Sequence, residues 1–69
     1  MEFYNWKPIS AVSAQRALDR GGKIRKLPYS FGNGQAVFEH ALQTARGTCH
    51  LVSNRTLQSL DIPKTAWVK

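Results

Sequence analysis

The stretch RALDRGGKIRK, residues 16–26, joins two segments of different periodicity. Small apolar residues recur at helical spacing before its Gly21-Gly22 pair, and apolar residues alternate with polar ones after it. Glycine commonly ends an α-helix because it adopts left-handed backbone conformations without steric cost. The stretch therefore predicts a helix over residues 10–20 that stops at Gly21, followed by a strand over residues 23–31.

The two predicted elements carry further signals of the same kind. Ser10 follows Pro8 and Ile9 and is a suitable N-cap for the helix. Pro28 has no backbone N–H to donate, so the strand that contains it is expected at an edge of a sheet.

The second half of the chain begins after a turn at residues 32–34. Its apolar residues fall on one face of a helix over residues 35–46, which Gly47 would end; they are Val37, Phe38, Ala41, Leu42 and Ala45. A short strand over residues 48–53 follows. Ser53 or Asn54 then caps a short helix that Pro63 stops, or residues 55–60 form another strand.

These elements predict one α+β domain over residues 1–69, with two helices on a short sheet and an aromatic N-terminal arm, residues 1–9. The alternative is an all-α domain, because residues 52–67 resemble a helix-turn-helix unit with Leu60, Ile62 and Trp67 at its apolar positions. That resemblance implies a second helix that presents Lys64, Thr65 and Lys69 to the major groove.

Length and composition restrict the function further. The chain has 69 residues, a net charge of +6 and a pI of about 10.1. A domain of this size has a marginal core, so packing on a partner or self-association is a route to stability. Its basic balance favours an anionic partner. No membrane segment or signal peptide is visible, so the cytoplasm is the expected location.

The residues offer little material for catalysis. Cys49 is the only cysteine, which excludes an internal disulfide and a cysteine-rich zinc site. Cys49 and His50 are adjacent on a predicted strand and point to opposite faces. We therefore expect a non-enzymatic protein without catalytic residues, metal ligands or a cofactor.

Two binding functions compete. In the first, the protein is a DNA- or RNA-binding accessory regulator that contacts phosphates through basic residues: Arg16, Arg20, Lys23, Arg25, Lys26, Lys64 and Lys69. In the second, it is an effector or inhibitor of phage or mobile-element type that acts on a host protein. Aromatic residues would then form the hot spot, and the same cations would steer it to an acidic surface: Phe3, Tyr4, Trp6, Tyr29 and Trp67.

Overall fold

A computed structural model describes residues 6–32 and 34–68 as a three-stranded sheet with helices on one face. The elements in chain order are α1 (Ala11–Asp19), β1 (Lys23–Gly32), β2 (Val37–Gln43), β3 (Cys49–Ser53), α2 (Asn54–Ser59) and a 3₁₀ turn (Lys64–Ala66). The strands are antiparallel in the order β1-β2-β3. The α+β prediction is confirmed, and the chain is not the all-α alternative.

The first helix begins and ends where the sequence predicts. Ser10 Oγ accepts a hydrogen bond from Ser13 N at 3.3 Å and caps the first turn. At the other end, Gly21 N donates to Leu18 O at 3.1 Å and Gly22 N donates to Ala17 O at 2.8 Å. This pair of bonds is the Schellman arrangement, and the φ of +100° at Gly21 explains the need for glycine.

The predicted helix over residues 35–46 is wrong, because this segment forms β2, the central strand. Leu42 faces the helices, whereas Phe38 and Ala41 pack on the outer face of the sheet. A register shift opposite β3 between Phe38 and His40 breaks the strict alternation of side chains. A strand that is buried on both faces carries apolar residues at adjacent positions. Here the apolar pairs 37–38 and 41–42 are also four residues apart, which is the spacing of one face of a helix.

The sheet has an apolar cluster on each face. The cluster under the helices contains Ala14, Leu18, Ile24, Leu42, Val52 and Ala66. The smaller outer cluster contains Leu27, Phe38, Ala41 and Leu51, with Trp6 packed against it. The N-terminal arm thus packs on the body as far as the structure describes it.

Segments near both termini cover the edges of the sheet. On the β3 side, Ile9 N donates to Leu51 O and Leu51 N donates to Lys7 O, both at 3.1 Å. On the β1 side, Trp67 bridges Ile24, and Val68 N donates to Ile24 O at 2.8 Å. Among the described strands, β1 has β2 as its single neighbour, as Pro28 predicts, but part of its outer edge is paired with the C-terminal segment. Such covering limits edge-to-edge aggregation.

The C-terminal region contains a short helix rather than the alternative strand. Ser53 Oγ accepts a hydrogen bond from Thr56 N at 3.2 Å and caps α2. The second helix that the helix-turn-helix resemblance implies is reduced to the 3₁₀ turn. The side chain of Ala66 is buried there, whereas 42% of Trp67 is exposed.

A glutamine side chain ties this region to α1. Gln15 Oε1 accepts a hydrogen bond from Asp61 N at 2.9 Å, and Gln15 Nε2 donates to Asp61 O at 3.1 Å. The two bonds satisfy both backbone polar groups of Asp61.

We predict that Gly22→Ala lowers the free energy of unfolding. A Cβ at this position would lie 2.8 Å from Ala17 O and 3.2 Å from Gln43 O, and neither is a flexible side chain. The expected loss is about 1–3 kcal/mol, as for overpacked sites. Urea denaturation measures it, with Val12→Ala at an exposed position of α1 as the control. A Gly22→Ala variant as stable as that control would contradict the close approach.

Candidate functional site

A cleft of about 430 Å³ lies between α1 and the β2–β3 hairpin. Its lining combines basic residues from distant parts of the chain. Its lining residues are Ile9, Ser13, Arg16, Ala17, Arg20, Thr44, Ala45, Arg46, Thr48 and His50.

One wall of the cleft is the exposed side of α1. Ser13, Arg16 and Arg20 are three and four residues apart, so they follow one another along a single side of the helix. The buried side of the same helix carries Ala14 and Leu18, which pack into the core. The burial of these two residues turns both arginines away from the core, on the exposed side of the helix that borders the cleft.

The other wall is the hairpin between β2 and β3. Thr44 N donates to Thr48 O at 2.8 Å, and Gly47 N donates to Thr44 O at 2.9 Å. Gly47 has a φ of +91°, as expected for the left-handed residue of a three-residue hairpin loop. A bond from Thr48 N to Thr44 Oγ1 at 3.1 Å further holds this loop, which carries Arg46.

The charge of the cleft has a single sign. Within the described ranges, its lining includes three arginines and one histidine but neither Asp nor Glu. Guanidinium groups are always charged in proteins and present a planar set of N–H donors that matches phosphate or carboxylate oxygens. The hydroxyls of Ser13, Thr44 and Thr48 add donors, so the cleft has the composition of an anion-binding site.

The structure divides the basic cluster of residues 16–26. Arg16 and Arg20 line the cleft, whereas Lys23 Nζ donates to the backbone oxygen of Thr65 at 3.0 Å. Arg25 alternates with the buried Ile24 and so points to the outer face of the sheet. Lys26 lies on the helix side, opposite His40 in β2.

The remaining predicted basic residues lie elsewhere. Lys64 is exposed on the 3₁₀ turn, and Lys69 lies outside the described residues. Sequence reasoning missed Arg46 because it placed residues 35–46 in a helix, and it missed His50 because nothing in the sequence places that strand residue beside α1. The five-residue pattern Thr-Ala-Arg-Gly-Thr, residues 44–48, is the signal that could have identified the hairpin.

The predicted aromatic residues are not brought into one surface. Trp6 packs on the outer cluster of the sheet. The ring of Trp67 meets the ring of His40 edge-on at 5.7 Å, on the face that carries the helices. Tyr29 is 37% exposed on β1, while Phe3 and Tyr4 lie outside the described residues. The two tryptophans therefore lie on opposite faces of the sheet.

The described residues contain no group of three or more His, Cys, Asp and Glu side chains that could hold a metal ion. No helix in this part of the chain has the length and apolar character needed to cross a bilayer. Comparison of the chain with protein-family models, curated proteins and solved structures found no match.

His40 is the titratable group whose environment is most distinctive. Its Nδ1 atom is buried and has no hydrogen-bond partner among the described residues. Burial lowers the pKa of His40 below its ordinary value of 6.5; Glu39 opposes this shift, and Lys26 adds to it. The carboxylate of Glu39 also accepts a hydrogen bond from Asn54 Nδ2 at 2.7 Å.

We predict that His40 makes the protein less stable in mild acid. Below the ordinary histidine pKa of 6.5, the unfolded chain takes up a proton that the folded chain resists, because the folded pKa is lower. Stability is therefore fully present above that value and is lost as the pH falls toward the folded pKa. Urea denaturation between about pH 7.5 and about pH 5 should show a smaller decline for His40→Phe than for the wild type. Parallel declines would contradict the prediction.

Proposed function

We propose that the protein is a non-enzymatic nucleic-acid-binding protein that contacts phosphate groups through the cleft. The observation that supports this most directly is the convergence of Arg16, Arg20 and Arg46 on one concave surface whose described lining includes no carboxylate. Two of the three belong to the basic stretch of the sequence, and the third arrives from a hairpin 26 residues after Arg20.

The distribution of the other charges favours an extended polyanion over a small acidic patch. Lys26 lies on the helix side of the sheet and Lys64 on the 3₁₀ turn, whereas Arg25 points to the outer face. A nucleic acid that follows the helix side away from the cleft offers phosphates to residues such as Lys26 and Lys64, which a small acidic patch would not reach. Each phosphate that is neutralised releases counterions and adds to the affinity.

The lining also indicates what kind of readout to expect. It contains no Phe, Tyr or Trp in the described part of the chain, so it lacks an aromatic surface on which bases could stack. Phosphate contacts set position and affinity but carry no sequence information. The proposed mode is therefore tolerant of sequence and sensitive to salt.

The test compares two double variants that remove the same net charge. Arg16→Gln/Arg46→Gln changes the cleft, whereas Lys7→Gln/Arg55→Gln changes exposed residues outside its lining. Fluorescence anisotropy with a labelled duplex gives affinity as a function of salt concentration. We expect the cleft variant to reduce the slope of log K against log salt by up to about 1.8, at roughly 0.9 per phosphate contact. The control should change it less.

Several results would count against the proposal. Equal changes in the two double variants would show that net charge, and not the cleft, determines binding. No binding of duplex or single strands by micromolar protein at low salt would refute the nucleic-acid function. Capture of a stoichiometric host protein from lysate after nuclease treatment would favour the effector alternative.

A further inference from the structure

We infer that the cleft is a phosphomonoester site, which receives the terminal phosphate of a nucleic-acid strand. This inference rests on the proposed function and specifies which phosphate the cleft prefers. It follows from the charge of the cleft, from its hydrogen-bond donors and from its size.

The charge of the cleft exceeds that of an internal phosphate. A phosphodiester within a strand carries one negative charge, whereas a phosphomonoester carries about −1.5 to −2 at neutral pH and offers three strong acceptor oxygens. Arg16, Arg20 and Arg46 all line the same cleft. Three guanidinium groups around one ligand balance a dianion better than a monoanion.

The neutral donors suit the same group. Thr44 Oγ1 already accepts a hydrogen bond from Thr48 N, so its own O–H remains able to donate into the cleft. Ser13 and Thr48 place further hydroxyls in the lining. Together with the guanidinium groups, these hydroxyls supply enough donors for all three terminal oxygens of a phosphomonoester.

The size of the cleft fits one nucleotide and not a length of duplex. Its volume of about 430 Å³ falls in the range of small-molecule pockets. Ile9, Ala17 and Ala45 form an apolar portion of the lining that a sugar can contact. Because the described lining has no large aromatic ring, the phosphate and sugar, and not the base, would be recognised.

The experiment compares oligonucleotides that differ only at their ends. The probes are a single strand with hydroxyl ends, the same strand with a 5′-phosphate or a 3′-phosphate, and a hydroxyl-ended strand two nucleotides longer, which controls for added charge. We expect at least one phosphorylated strand to bind about tenfold more tightly than either hydroxyl-ended strand, as for one added charge-assisted contact. Arg46→Gln should abolish this preference, and Arg55→Gln should retain it.

The outcomes separate this inference from the function on which it rests. Equal affinity for all the strands would overturn the phosphomonoester site while leaving nucleic-acid binding intact. Failure of every single strand to bind would overturn the phosphomonoester site, and failure of the duplex to bind as well would refute nucleic-acid binding. A nucleoside monophosphate or inorganic phosphate that binds as tightly as the phosphorylated strand would overturn the strand end as the ligand. A preference retained in Arg46→Gln would place the recognition outside the cleft.

Discussion

The close approach of three backbone segments at Gly22 sets the geometry of the rest of the molecule. Gly22 N bonds to Ala17 O at the end of α1, and a side chain here would meet both that oxygen and Gln43 O at the end of β2. The helix terminus is thus held against the strand from which the β2–β3 hairpin emerges. The cleft lies between α1 and the hairpin that this strand begins, and a Cβ at residue 22 would force the helix terminus or the strand to shift.

Backbone turns fix the positions of the cleft residues, and contacts between the charged residues themselves do not. The Schellman bonds end α1 next to its C-cap residue Arg20, and the three-residue loop that follows β2 contains Arg46. Gln15, which bonds both polar backbone groups of Asp61, fixes α1 against the C-terminal region. Rigid supports of this kind reduce the entropy lost on binding, which is the benefit of preorganisation.

Local signals predicted those parts of the fold that depend on local chemistry. Ser10 and Gly21 delimit α1, and Ser53 begins α2, because caps act within a few residues. The sequence could not distinguish β2 from a helix, since Ala41 and Leu42 are buried on opposite faces by layers that only the complete fold supplies. The sequence could not predict the cleft either, because Arg46 and Arg16 line the same cleft only in the folded chain.

The basic stretch of residues 16–26 also shows why density of charge along a chain is a poor guide to a surface. A helix brings residues four apart to one side, and Arg16 and Arg20 accordingly share the cleft. A strand sends neighbours to opposite faces, and Arg25 and Lys26 accordingly separate. Lys23 is engaged with the Thr65 carbonyl, where it helps to hold the C-terminal segment at the β1 edge. The stretch therefore supplies two residues to the cleft, one to the fold and two to separate surfaces, so only its helical half concentrates charge.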